Sequence, residues 1–204
     1  MKKLTPKLYI RDTNQMLIDF FKVYFHAFPE VDIAHGNILD TKADAIVSPG
    51  NSFGDMGGGI DLIYRNKFGF DVEKMVKRNI DMHYYGELPV GEAVCVPMRK
   101  QDYQYLIVAP TMRLPMGIDN TLNVYFAFRA ALLKAKEKQI ESVVTPGLGT
   151  LTGGACPEMA ARQMFIAYLT VVRDIQPKAL EQIFKQMYWM LRCTQDERRA
   201  RKGA

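Results

Sequence analysis

The sequence predicts an α/β fold, a three-layer α/β/α sandwich around a central mixed, largely parallel sheet. Three observations carry this. Short runs of apolar and β-branched residues alternate with helical patterns along the chain. Two of those runs lead into glycine-rich loops that open onto helical segments, as parallel sheets require of their crossovers. The chain of 204 residues is 48% hydrophobic, 24% charged and 11% aromatic, enough to bury a core without cross-links.

Lys7 to Asp12 reads as a short strand. Leu17, Phe21, Tyr24, Phe25 and Phe28 then recur at helical spacing on one face until Pro29 stops the pattern. Val31 to His35 and Ala43 to Val47 read as the second and third strands. Ser48 to Gly59 holds five glycines and one proline in twelve residues, a loop by every local signal. Helices are expected over Ile60 to Lys67 and Asp71 to Asp81. Strands follow at Ala93 to Val96 and Tyr105 to Ala109. Asn120 to Lys138 is apolar nearly all round, the mark of a buried helix. Ser142 to Thr145 is a further strand, and Gly147 to Gly154 a second glycine-rich loop. A helix from Pro157 carries Ala160, Met164, Ala167, Tyr168 and Val171 on one face. A last one, after Pro177, carries Leu180, Ile183, Phe184, Met187 and Leu191.

Composition excludes several classes. The three cysteines, Cys95, Cys156 and Cys193, form no CxxC pair, which argues against a disulfide framework and for a reducing compartment. Of these, Cys156 reads as a small buried filler. His26, His35 and His83 are scattered, so no metal site is expected, and His35 reads as a structural histidine. No apolar run reaches the length of a membrane span, and no h-region follows the basic start, so the expected location is cytoplasmic. The formal charge is +5, much of it in Arg198, Arg199, Arg201 and Lys202. No aromatic residues are interleaved there, so the tail reads as a solvated terminus rather than a nucleic-acid site.

The two glycine loops carry the chemistry. Glycine lets backbone approach a ligand closely, and successive N–H groups at a helix start attract anions. Two such loops leaving buried strands are suited to gripping a diphosphate from both sides. No GxxxxGK[ST] is present. A dinucleotide fingerprint has only Gly147-x-Gly149 in its favour, and Asp174, near the expected acidic position, ends a helix instead of a strand.

At these residues the chain resembles the macro domain family. Gly36-Asn37-Ile38 is similar to the family's Gly-Asp-Ile. Ala45 to Asn51, continuing into Gly57-Gly58-Gly59-Ile60-Asp61, is similar to its Ala-Ile-Val-Asn-Ala-Ala-Asn loop, and Gly147 to Gly154 to its second loop. Gly86 to Gly91, Ala109 to Pro115 and Pro146 to Gly149 resemble the branch that processes ADP-ribose-1″-phosphate. The resemblance runs from about residue 7 to 174; a macro domain is expected over residues 1–177, and 178–204 are expected to be a C-terminal helix and basic tail packed on or extending from it.

It also implies roles. Asn37 and Ile38 take the adenine end, Asn37 with an amide where the family has an acid. Ser48 replaces a family asparagine, and Asn51 matches the one at the distal ribose. Gly57, Gly58, Gly59 and Ile60 face the diphosphate and distal ribose. Gly147, Leu148, Gly149, Thr150, Leu151, Thr152 and Gly153 match the second phosphate loop, and Thr111 borders the distal ribose. Apart from the resemblance, Arg113 is the one nearby cation that could hold a terminal phosphate, and it suits a solvated loop arginine equally well. For an enzyme, Asn51 would orient the sugar and Asp61 would position or deprotonate a water, with no metal or cofactor. Asp61 also suits a plain first-turn acid. The expected activity is hydrolysis at the distal ribose, of ADP-ribose-1″-phosphate or of an ADP-ribosylated macromolecule. The alternatives are a non-catalytic ADP-ribose-binding module and, more weakly, nucleic-acid binding through the tail.

Overall fold

A computed structural model of the chain describes residues 6–98 and 102–190. Its strands are β1 (Lys7–Asp12), β2 (Val31–His35), β3 (Ala45–Ser48), β4 (Val94–Pro97), β5 (Tyr105–Val108) and β6 (Ser142–Thr145). They form one sheet in the order β2-β1-β6-β3-β5-β4. Every pairing is parallel except that of β4 with β5, so β4 is an antiparallel edge.

Side chains alternate cleanly across this sheet, as a period of two demands. Leu8, Ile10, Ala45, Val47, Ile107 and Val143 point into one core. Tyr9, Ile46, Leu106, Val108 and Val144 point into the other. The first core is covered by α1 (Gln15–Tyr24), α4 (Asn123–Glu137) and α5 (Pro157–Val171). The second is covered by α2 (Gly59–Phe68) and α3 (Asp71–Tyr84). This is the expected three-layer sandwich with a mixed, largely parallel sheet.

Local chemistry sets the element ends. Asn14 caps α1, its side chain accepting from Leu17 N. β3 starts at Ala45, two residues later than the pattern suggests. Asp44 is spent on a clasp to β6, its carboxylate accepting from the backbone N–H and the hydroxyl of Ser142. α4 starts at Asn123 because the preceding residues turn, with Thr121 N–H donating to Ile118 O. That helix is not buried all round, since Phe126 and Leu133 face outward. α3 continues three residues beyond the expected end, to Tyr84.

After a short 3₁₀ turn at Pro177–Leu180, the chain forms α6 over 181–190. Leu180, Ile183, Phe184 and Met187 pack on the first core, the Phe184 ring 5.1 Å from that of Tyr125. Leu191, Cys193 and the basic tail lie outside the described residues. Among the described residues no helix is long and apolar enough to cross a membrane.

Gln163 locks α5 to the start of α4. It is buried, accepts from Tyr125 N–H at 3.0 Å and donates to Thr121 O at 2.9 Å. Gln163→Leu would strand both backbone groups without water, at a cost of about 2 kcal/mol or more. Denaturant unfolding should show a lower midpoint at unchanged slope.

Candidate functional site

Parallel strands place the ends of β1, β2, β3, β5 and β6 along one edge of the sheet, and the loops leaving them enclose a cleft of about 660 Å³. That volume lies within the range of small-molecule sites, about 300–1,000 Å³.

The first glycine loop forms one wall. Its shape is held by Asn51, whose Oδ1 accepts from Phe53 N–H at 3.0 Å and Asp55 N–H at 3.2 Å. Its Nδ2 donates to Asp55 O at 2.9 Å. Asp55 then turns the chain again, Oδ1 accepting from Gly57 N–H at 2.9 Å. Glu73 on α3 braces the loop from behind. It lies 3.4 Å from Met56 N and is held in place by Arg65 and Lys77. Gly57, Gly58 and Gly59 lead into α2, and no side chain caps its N-terminus at Gly58. The amides of that first turn are therefore open to an anion.

Asp61 stands in the first turn of α2 and is 8% exposed. The Ser48 hydroxyl, at the end of β3, donates to its Oδ1. Burial pushes the Asp61 carboxyl up to about 6; the Ser48 hydrogen bond opposes this and the nearby Asp55 adds to it. Asp61 lines the cleft, so a carboxyl with raised proton affinity meets the space a ligand would fill.

The second glycine loop forms the opposite wall. Gly147 N–H donates to Asp12 Oδ2 at 3.0 Å, tying the loop to the end of β1. Gly149 has φ +71°, a conformation natural to glycine. Gly153 packs so tightly that an added Cβ would lie 2.7 Å from Ile118 Cγ1 and would overlap Gly149 O. Ile118 N–H donates to Gly153 O at 2.7 Å and Ala155 N–H to Gly149 O at 3.0 Å, which closes the loop.

The cleft brings together Asn37, Ile38, Asn51, Gly57 to Asp61, Thr111, Gly147 and Gly149 to Gly153. Two residues fall elsewhere. Leu148 turns inward and is fully buried in the first core, because it sits opposite in phase to its glycine neighbours. Ser48 is buried behind Asp61 and meets the cleft only through it. Asn37 Oδ1 accepts from Leu39 N–H at 3.1 Å, capping a 3₁₀ turn at Ile38–Asp40. Thr111 Oγ1 donates to Pro49 O at 3.0 Å.

Three side chains differ from expectation or resolve an alternative. Arg113 is not open to a phosphate: it holds Glu87 through two hydrogen bonds, of 2.6 and 3.0 Å, and lies over the Phe53 ring. Cys156 is exposed rather than a buried filler, since it is the N-cap residue where the loop passes into α5. His35 Nε2 is 3.0 Å from Thr13 O, a structural contact. Sequence reading missed Arg11, Asp12 and Asp55, all on the cleft wall. Asp12 was findable, because a parallel strand ending at residue 12 must end at the ligand edge. Among the described residues no group of three His, Cys, Asp or Glu could hold a metal ion.

The family model of the Macro domain matches residues 47–164, from β3 to α5. This chain belongs to the macro domain family. A protein of Aquifex aeolicus is 34% identical to this macro domain over 154 residues, 76% of this chain and 87% of the relative. Among solved structures, the macrodomain of Mycobacterium tuberculosis DarG superposes with TM-score 0.57 at 23% identity, over 67% of this chain and 88% of the other. Thermosipho africanus DarTG in complex with ADP-ribose superposes with TM-score 0.54 at 19% identity, over 66% of this chain and 37% of that one. The helices and sheet described above are thus those of a macrodomain.

Gly153→Ala should distort the second loop, because Gly149 O is backbone and cannot swing aside. Overpacking of this kind costs about 1–3 kcal/mol. The expected result is a lowered melting temperature; an unchanged one would mean that the loop relaxes without strain.

Proposed function

We propose that this macro domain binds ADP-ribose in the cleft and hydrolyses a bond at the anomeric carbon of its distal ribose. The observation that carries the catalytic part is Asp61, a buried carboxyl facing the cleft from the first loop, with one oxygen fixed by Ser48. The resemblance to the family and the ADP-ribose complex of the Thermosipho africanus relative support the ligand.

In this reading the diphosphate lies between the two loops and is held by backbone N–H groups, those of Gly58 to Ile60 on one side and Gly149 to Gly153 on the other. Asn37 and Ile38 meet the adenine. Asn51 keeps the first loop in shape, and the second N–H of its amide is assigned to a distal ribose hydroxyl. Asp61 takes a proton from the attacking water as the water oxygen bonds to the anomeric carbon. Ser48 leaves Asp61 Oδ2 as the oxygen that does so. A group working near pH 6 is well matched to this task, as it is largely ionised at neutral pH yet basic enough to accept a proton.

Two outcomes test the reading. An added Cβ at Gly58 meets no protein atom within 4 Å, so Gly58→Glu should leave the fold intact while placing bulk and negative charge against the diphosphate. Calorimetry should show ADP-ribose binding lost, and unchanged affinity would remove the first loop from the site.

Turnover should rise with pH to a plateau, with a midpoint near 6. Asp61→Asn should lower it by about 10²-fold or more. The same carboxyl has an opposite signature in stability. Its folded proton affinity exceeds the unfolded value of 3.8, so it costs nothing at lower pH. The cost grows as pH rises through that window and is complete above about 6, at roughly 3 kcal/mol. Asp61→Asn should therefore resist denaturant better than the parent at pH 8 and lose that advantage below pH 4. Full activity in the variant would exclude Asp61 as the base.

A further inference from the structure

The charges around the cleft narrow the substrate further, given that the ligand is ADP-ribose as proposed above. The first loop places Asp55 between the two features assigned to the distal ribose. Its backbone is bonded to the Asn51 side chain in both directions, and its carboxylate is bonded to Gly57 N–H. Asp55 is exposed on the cleft wall, and Asp61 follows six residues on, its Oδ1 occupied by Ser48. The N-terminus of α2 is thus already faced by two carboxyl groups, which offset its attraction for a further anion.

Nothing cationic on the described wall offsets them. Arg11 is the one cation among the described lining residues, and its guanidinium is engaged by Ile10 O, Asp32 O, Asp32 Oδ1 and Thr41 Oγ1. Arg113 is bound to Glu87 and is not on the wall. The lining also includes Ile63, half exposed, and Pro115, neither of which carries a charge. A diphosphate can be held by loop amides in the middle of the cleft. A second phosphate at the distal end would meet Asp55 and Asp61 without a counter-charge.

We infer that Asp55 is a specificity-determining residue: with Asp61 it makes the distal end accept a 1″ substituent without negative charge, and it discriminates against ADP-ribose-1″-phosphate. The substrates so selected are nitrogen- or oxygen-linked ADP-ribosyl conjugates whose leaving group is neutral or cationic. In their hydrolysis the water oxygen bonds to C1″. The electrons of the C1″–X bond go to X, and the proton that Asp61 takes from water is passed on to X. The products are ADP-ribose and HX, with no other reactant.

Calorimetry on the full chain tests this through affinities alone, with ADP-ribose, ADP-ribose-1″-phosphate and ADP-ribosyl-agmatine, a guanidine conjugate, as probes. The 1″-phosphate should bind about tenfold weaker than ADP-ribose at low salt, and the agmatine conjugate at least as tightly as ADP-ribose. Asp55→Asn keeps an oxygen for Gly57 N–H and should narrow the ADP-ribose to 1″-phosphate ratio at least threefold. In the parent protein, raising the salt from 0.05 to 0.5 M should narrow the same ratio, a readout that needs no variant. A 1″-phosphate that binds as tightly as ADP-ribose, or a ratio unmoved by both salt and Asp55→Asn, would overturn the inference while leaving ADP-ribose binding in place. Absence of ADP-ribose binding in the parent would overturn the underlying reading, and this inference with it.

Discussion

Parallel strands must be re-entered from the same end, and this constraint organises the rest of the molecule. β1, β2, β3, β5 and β6 all run in one direction. Each therefore releases its chain at the same edge, where backbone groups leave the ladder and need other partners. Asp12, Gly36, Asn51, Thr111 and Gly147 are remote in sequence yet line one cleft, because each lies at or just past the end of one of these strands. The tight glycine packing is a consequence of the same geometry. Five chain exits crowd one rim, and at Gly153 and Gly147 there is no volume left for a side chain. The helix-covered faces only have to fill space; the rim has to satisfy polar backbone as well, and it is there that the Asp12 carboxylate serves as acceptor for neighbouring chain, from Asn14 N–H and Gly147 N–H.

The second feature follows from the first. Ser48 ends β3 and Asp61 begins α2, so the loop between them must return to its own starting strand. The Ser48–Asp61 hydrogen bond closes that return. It also buries a carboxyl, an arrangement that opposes folding whenever the carboxyl is charged. A neutral residue in the first turn of α2 would make a more stable protein at neutral pH. An arrangement that works against stability, set in the wall of a cleft, is the pattern expected of a site shaped by chemistry rather than by folding alone.

Much of this was legible in the sequence, for reasons that can be named. The bounds of β1, β2 and β6 follow from runs of alternating or β-branched residues flanked by breakers, and the structure places them at Lys7–Asp12, Val31–His35 and Ser142–Thr145. Both glycine loops stand where composition put them. What sequence could not give is neighbourhood. Nothing local says that β1 lies between β2 and β6, so the contact of Asp12 with Gly147 across to the second loop was not legible, although its place at the end of a parallel strand was. Leu148 lies within a ligand loop, yet its side chain serves the core, since phase within a short loop depends on backbone turns rather than on periodicity. Arg113 looked available because its partner, Glu87, is 26 residues away. Asp55 was invisible for a related reason: in a loop rich in glycine an aspartate reads as a turn residue, and only the hydrogen bonds to Asn51 and Gly57 give it a place.

In the proposed reading a diphosphate enters a cleft whose charged side chains are mostly acidic, and it must be bound through backbone. Asp12, Asp55 and Asp61 line it, and Arg11 is already engaged. Amides carry no net charge, so their contribution depends on orientation: several N–H groups must converge, and the chain must come close enough to do so. Glycine at Gly58 and Gly59 and at Gly149 and Gly153 suits that requirement, and at Gly149 and Gly153 the space a side chain would need is taken by Ile118. The grip on the diphosphate then resides in the loops' shape, while the residues at the two ends set the preference among ligands that share it. Those ends are free to diverge. An amide can stand at Asn37 where the family has an acid, and a carboxylate can stand at Asp55 beside the distal ribose, without loss of the central grip. On this view the two loops determine that an ADP-ribosyl diphosphate is held, while Asn37, Asp55 and Asp61 determine which one, and what becomes of it.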